Sequence, residues 1–531
     1  MFNRLRSASP VVFALGFALL WGIPSLLYPF GHDQGMDAYI ADLVMRGALL
    51  YEDVYHVKPP GTLFIYMLSE TLFDFPAGYE MVAIRLLDIL WQAATAFFIY
   101  KISLHIFKHP HQSVFAAVTF IILYYVKDFW HSTNTDGFLN LPIAIAIFTL
   151  LNGEKRSTSI NSLFVGFWIG IAFLIKYPIG IMLAVCGTLY LFGLKRKSWV
   201  AVLFRICLLA VGFIFPIAGF FVYLNYSGTL DGFLDFQSNY FSSYNGGFGS
   251  QWDNLRLLYW QFIAWVVVTG IGASSFILLV LRPIHLIMQA RGDAQGYSMT
   301  QLLPLIWLLG SLVHLGVQNK FYDYHSYPII APLSLLISQE LVYLFSNRSQ
   351  KLKQVVTVFG LCSLIIVSLL TDGNRFSLLG RVLFTPATIK DVYVTDDLFV
   401  ARGYSARGML ESAAWLEVNT QPQDQVLVWA FEPSIYYLSE RDSSSRIVYN
   451  FPLIGKLARP VLLETFYQDL RDNPPAAILV AVDDAIPHVT GTNNDSFEEL
   501  QTMPELASLL ESGYEFIRQI DHYLIYDKID G

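Results

Sequence analysis

From the N-terminus to about residue 370 the chain alternates long apolar runs with short polar breaks, and beyond that the pattern changes. The first run, Pro10 to Phe30, contains no charged residue. It is long enough to cross a bilayer and does not end in a small-residue cleavage pattern, so it predicts an uncleaved first span. Further apolar runs centre near residues 95, 120, 145, 168, 186, 212, 268, 309, 337 and 363. On the criterion of about twenty residues per span, these predict a polytopic α-helical protein with about eleven spans. Val114 to Val126 and Phe138 to Leu151 are short runs that must draw in flanking polar residues.

The polar breaks fix an orientation. Arg4 and Arg6, Lys101 and Lys108, Lys155 and Arg156, Lys195 to Lys197, Arg282 and Arg291, and Arg348, Lys351 and Lys353 all fall on one side of that arrangement. Basic loops stay in the cytoplasm, so the N-terminus is expected there, in a plasma (inner) membrane. An odd number of spans then puts the C-terminus and the 31–78 segment outside.

Past residue 390 the chain shifts to short β-like runs and amphipathic stretches. Val426 to Ala430, Ile447 to Tyr449, Ala477 to Val482 and Tyr523 to Tyr526 predict strands, and Ala406 to Val418, Val461 to Arg471 and Phe497 to Glu511 predict helices. The expected organisation is a transmembrane module over 1–371, including the external 31–78 loop, followed by a small extramembrane α/β domain over 390–531.

Composition agrees with a membrane protein: 54% of the 531 residues are hydrophobic, 14% are charged, and mean hydropathy is +0.47. A net charge of -8 with scattered basic groups excludes a nucleic-acid partner. Cys186, Cys207 and Cys362 sit inside apolar runs without metal-like spacing, so neither a disulfide framework nor a zinc site is expected. There is no internal repeat, Walker A loop or dinucleotide fingerprint.

The most chemical stretch is HDQGMDAYIADLVMRGALLYEDVYHVKPPG, from His32 to Gly61, where acids and one lysine lie between apolar runs. Charge near a membrane is costly unless it is used. Ala38 to Leu50 has the spacing of a short interfacial helix. Pro59 and Pro60 suit the first turn of another helix over about Thr62 to Glu70, which places Lys58 at a helix N-terminus, a favourable position for a phosphate. Asn225 to Arg256 mixes glycine with Phe233, Phe236, Tyr240, Phe241, Tyr244, Phe248 and Trp252. It reads either as a mobile lid whose rings stack on sugar or as an aromatic belt at the headgroups.

The DQG and YEDVYHVKPPG motifs, with NTDGFLNLP (Asn134 to Pro142) and KFYDYHSYPIIAPLSLL (Lys320 to Leu336), resemble the GT-C-fold glycosyltransferases that use lipid-linked sugars. The nearest branch is that of the protein O-mannosyltransferases and the lipid A aminoarabinose transferase, over roughly the N-terminal two-thirds. The resemblance implies a polyprenyl-phosphate-linked sugar as donor and a lipid, glycan or protein acceptor. By position, the family's catalytic aspartate falls on Asp33, with Asp37 a rival, its second acid on Asp136, and its carrier-phosphate lysine on Lys58. The family's His-Tyr pair appears reversed, as Tyr324 and His325, which departs from the pattern. His56, Arg85, Lys176 and Lys320 complete the expected substrate- and phosphate-binding set.

Such a transfer needs a base for the acceptor hydroxyl and positive charge for the departing phosphate, and direct attack inverts the anomeric centre. Each residue also has a plainer reading. Asp33 caps a helix beginning near Met36, Asp37 is a first-turn acid, Lys58 snorkels, Asp136 caps the following span, and Arg85 pairs with Asp88. Two other functions remain open: a lipid or sugar transporter or flippase, and a non-catalytic glycan-binding membrane protein. The sugar, hexose or pentose, and any divalent metal are not legible.

Overall fold

A computed structural model describes residues 2–73, 75, 80–156, 160–193, 199–246, 299–318, 320–344, 373–384, 391–393, 399–401 and 403–529, with 362, 365, 366 and 369 besides. The chain divides into two compact units, one made of 1–26, 84–220 and 251–377, the other of 27–83, 221–250 and 378–531. The segment after the first span therefore groups with the C-terminal α/β region.

The first unit is helical. It contains α1 (Phe2–Gly22), most of α4 (Glu80–Phe107), α5 (Pro110–Tyr125), α6 (Thr135–Phe138), α7 (Asn140–Arg156), α8 (Ile160–Ile175), α9 (Ile181–Gly193), most of α10 (Trp199–Ser227), and the helices Met299–Gln318 and Tyr327–Leu344. Among the described residues, Pro10–Leu27, Met81–Phe107, Thr135–Asn152 and Trp199–Ser227 are long and apolar enough to cross a membrane. Ile160–Ile175, Tyr177–Leu189 and Leu302–Gln318 are shorter apolar helices. The spans expected near residues 268 and 363 fall outside the described residues or largely so.

Apolar side chains gain little by leaving lipid for one another, so helices in a membrane associate through close packing, which small residues permit. Gly166 and Gly170, one turn apart on α8, face α10. A Cβ at Gly166 would lie 2.0 Å from the Leu209 carbonyl oxygen, and one at Gly170 2.4 Å from that of Phe213. Gly212 on α10 returns the contact, 2.0 Å from the Leu163 carbonyl oxygen. These obstacles are backbone atoms, which cannot rotate away.

The second unit holds α2 (His32–Met45), α3 (Pro60–Leu72), α11 (Leu230–Gly246) and the C-terminal domain. That domain is built on a five-stranded sheet in the order 442–443, 425–429, 477–481, 523–528, 514–520. The first three strands are parallel and the last two antiparallel. The expected strand over Ile447 to Tyr449 is an irregular buried loop, and the edge pairing is made instead by Asp442–Ser443. Tyr514–Ile520, an exposed edge strand, was not predicted because its interior residues lack a buried alternate face. The helix expected over Phe497 to Glu511 is two, Ser496–Gln501 and Pro504–Gly513. Met503 precedes a proline and is extended, which ends the first helix.

The helix expected from Ala38 begins at His32. Gly31 is its extended N-cap, and Gly47, at φ +107°, turns the chain out after Arg46. The lid expectation is revised within the described part of that segment. α11 buries Phe233 on Tyr51 and Phe236 on Tyr55, with ring centroids 4.9 and 4.6 Å apart, and Tyr240 stacks on Phe236. These rings face protein; residues 247–256 lie outside the described residues.

Replacing Gly166 with Val is expected to lower stability by about 1–3 kcal/mol or more, because the backbones of α8 and α10 must separate. Thermal unfolding in detergent checks this, with Gly187→Val, at a position where a Cβ meets nothing within 4 Å, as the matched control.

Candidate functional site

Starting α2 at His32 puts Asp33 and Asp37 one turn apart on the same face of one helix. The helix N-terminus favours an acid in its first turn, which is where Asp33 sits. On the neighbouring segment, Pro59 caps α3 and Pro60 opens it, so the chain before them is extended and presents Lys58 to both acids. Lys58 Nζ lies 3.1 Å from Asp33 Oδ1 and 2.9 Å from Asp37 Oδ2.

The two carboxylates differ in access. The Asp37 side chain is 1% exposed and its second oxygen lies 2.9 Å from His56 Nε2. Asp33 is 23% exposed and Lys58 16%. His56 is fully buried, and its Nδ1 has no hydrogen-bond partner among the described residues. Its ring therefore bears on Asp37, on the oxygen that Lys58 does not take. Burial opposes the Lys58 charge, but Asp33 and then Asp37 more than offset it and hold the ammonium above the ordinary lysine range. Lys58 is a fixed cation shared by two acids.

The same unit buttresses this helix. His32 Nδ1 lies 3.0 Å from Glu432 Oε2, and its ring stacks on Phe431 at 5.2 Å. The Tyr39 hydroxyl accepts from the Ser443 amide at 2.7 Å, and its ring stacks on Tyr436. Tyr449 is buried near Asp33 and Asp37 and hydrogen-bonds Tyr240. No sequence signal pointed to His32, Glu432 or Tyr449, since the partners lie about four hundred residues from α2.

The helical unit holds a second cluster. Asp136, fully buried at the head of the Thr135–Asn152 span, pairs through Oδ2 with Lys176 and through Oδ1 with His314 Nε2 at 3.2 Å. Asn134, not Asp136, caps the short helix, its side chain accepting from the Thr135 amide. Lys176 precedes the Tyr177–Gly180 turn and lies 5.6 Å from the Tyr324 ring centroid. Tyr324 packs edge-on to His325 at 4.7 Å. Burial, then Lys176, pushes the His325 pKa well down, so its imidazole is neutral, and Lys320 adds to that effect. His314 and Lys127 were missed by sequence reading. Lys127 donates to the Asp323 carbonyl at 2.5 Å and Ser326 Oγ at 3.0 Å, and burial pushes its pKa down to about 8.

Arg85 is also fully buried. Its guanidinium donates to Ser132 Oγ at 2.6 Å and Thr133 Oγ1 at 2.8 Å, fastening the loop before α6. Asp88, the residue with which a plain charge pair was expected, feels the Arg85 charge but takes its hydrogen bonds from Gln92, Tyr124 and Tyr125. Among the described residues, no group of three or more His, Cys, Asp and Glu side chains converges as a metal site.

Comparison with solved structures decides the architecture. The chain aligns over 98% of its length, and 98% of the other chain, with ArnT from Cupriavidus metallidurans bound to undecaprenyl phosphate, at a TM-score of 0.60 and 12% identity. The apo form of the same protein gives a TM-score of 0.61 at 12% identity, covering 99% of this chain and 98% of that one. This chain has the GT-C fold. Residues 57–222 also match the family model described as dolichyl-phosphate-mannose-protein mannosyltransferase. Among curated proteins none matches. The GT-C fold expected from the KPP segment is thereby borne out, and the matched residues include Lys58, Arg85, Asp136 and Lys176.

Two predictions follow from the charges. Lys58→Met leaves buried Asp37 without its cation, so it should lower stability by about 3–5 kcal/mol, and Asp37→Asn in the same chain should restore much of the loss. Thermal unfolding of the two variants checks this. His32 is governed first by burial, which lowers its pKa, but Glu432 outweighs burial and raises it above 6.5. The protonated imidazole thus contributes stability that is complete below that value and lost as pH rises through the folded-state pKa. Melting temperature should fall across that interval, by less in His32→Gln than in the unaltered protein.

Proposed function

We propose that the protein is an integral membrane glycosyltransferase that moves a sugar from a polyprenyl phosphate to an acceptor hydroxyl at the external face, with inversion. The observation that carries this reading is the Asp33–Lys58–Asp37 arrangement in a chain of GT-C fold. The external placement and the cytoplasmic N-terminus rest on the basic breaks between apolar runs.

Asp33 is the base, because it is the more accessible acid. Asp37, with both oxygens engaged by Lys58 and His56, is a fixed anion that positions Lys58. The acceptor oxygen attacks the anomeric carbon and forms the new C–O bond as its proton passes to Asp33. The bond from the anomeric carbon to the phosphate oxygen breaks, and the phosphate leaves with the electron pair. Protonation neutralises Asp33 and releases half of the Lys58 pairing at the moment negative charge grows on the leaving oxygen. One lysine thus links proton uptake to phosphate departure. A phosphate is a good leaving group, so no second carboxyl group is required to protonate it.

In the helical unit, Lys176 is the cation best suited to an anionic headgroup, held by Asp136, whose other oxygen meets His314. Lys320, Tyr324 and His325 border that cluster and are secondary binding candidates.

The test is genetic and chemical. Cells lacking this chain should lose one glycan from their glycolipids or glycoproteins by mass spectrometry, and the native chain should restore it. Asp33→Asn should reduce transfer by about 10²–10⁴-fold at unchanged protein level, and Lys58→Met by about 10²–10³-fold. Full restoration by Asp33→Asn removes the base assignment.

A further inference from the structure

The first turn of a helix lacks the amide bonds that hold later turns, so its position is set by whatever caps or clamps it. For α2 that turn carries Asp33, and Gly31 supplies no side-chain cap. The C-terminal domain supplies the clamp. The Tyr404 hydroxyl donates to the Phe30 carbonyl at 2.5 Å. The His32 ring lies between Phe431, stacked at 5.2 Å, and Tyr404, edge-on at 5.4 Å. Glu432 faces the His32 Nδ1 at 3.0 Å. At Gly35 a Cβ would fall 1.8 Å from Ser434 Oγ and 3.0 Å from the Ser434 amide, so α2 rests directly on the start of the Ser434–Ser439 helix.

Glu432 occupies a telling place. It follows the C-terminal end of the parallel strand Gln425–Trp429, where α/β sheets hold functional groups. It is 1% exposed, and its Oε1 has no hydrogen-bond partner among the described residues. Its other oxygen takes His32, with the Tyr523 hydroxyl further off at 3.4 Å. A buried carboxylate is expensive without a cation, and leaving it in this place makes sense if its direction matters. The pair also costs helix stability, since a cation at the helix N-terminus opposes the dipole. A purely structural contact would be served better by an apolar pair.

We propose that Glu432 is a positioning residue, fixing the first turn of α2 through His32 and thereby aiming the Asp33 carboxylate at the acceptor hydroxyl. The C-terminal domain then serves the reaction from behind the helix, without touching substrate. This inference rests on Asp33 being the base.

The experiment uses the full chain in cells lacking the native copy and, purified, in nanodiscs. Glu432→Gln and His32→Gln should each lower the rate of glycan formation about tenfold, and the double variant should be no slower than either single one, because the two act as one device. Affinity for undecaprenyl phosphate, used as the bare lipid probe, should stay within twofold. Amide hydrogen exchange should quicken over residues 32–40 and stay unchanged in the 477–481 strand. Multiplying losses, exchange that rises throughout the sheet, or undiminished transfer in Glu432→Gln would each overturn the proposal. Asp33→Asn, run alongside, separates the two claims: if it abolishes transfer while Glu432→Gln does not, the positioning role alone fails. If Asp33→Asn transfers normally, the base assignment fails and the inference falls with it.

Discussion

Two carboxylates one helical turn apart, one of them buried, are tolerated on α2 because a single lysine stands between them. That charge balance organises its surroundings. Asp37 without Lys58 would be an uncompensated buried anion, and Lys58 without the acids would be a cation pressed toward neutrality by burial. The Pro-Pro step presents the lysine, Gly31 starts the helix early enough to include Asp33, and His56 closes the far side of Asp37. The trio carries one formal net negative charge.

The C-terminal domain packs around this charge balance. Its sheet is an ordinary small α/β layer, but its loops and the Ser434–Ser439 helix touch α2 along its length, at His32, Gly35, Tyr39 and Arg46. The helical unit meets a different constraint, that of packing helices in lipid, by bringing backbones together at Gly166, Gly170 and Gly212. A buried acid there, Asp136, is likewise paired with a lysine, Lys176, and its other oxygen meets His314. Asp37 and Asp136 thus share one arrangement, a buried carboxylate reached by one lysine and one histidine.

Much of this was legible in the sequence. The apolar runs marked helices now seen at α1, α4, α5 and α7 to α10, and the KPP segment pointed to the fold and to Lys58. The acids were found, but not their shared face, because the helix was started six residues late, at Ala38 instead of His32. That spacing of four was available to a reader who let Gly31 act as the cap. The Gly166 to Gly170 spacing is equally visible in the sequence. His32 with Glu432, and Asp136 with His314, were not readable, since pairings across 400 and 178 residues leave no periodic trace. The bonds from Arg85 to Ser132 and Thr133 were not readable either, because neither partner carries a charge to announce it.

The central claim is that Lys58 passes part of its pairing from Asp33 to the donor's phosphate. An experimental structure with undecaprenyl phosphate bound measures this directly. The account predicts a phosphate oxygen within hydrogen-bond distance of Lys58 Nζ, the Asp37 contact kept near 2.9 Å and the Asp33 contact lengthened beyond 3.1 Å. A phosphate held wholly by other residues, with both Lys58 pairs intact, would contradict it.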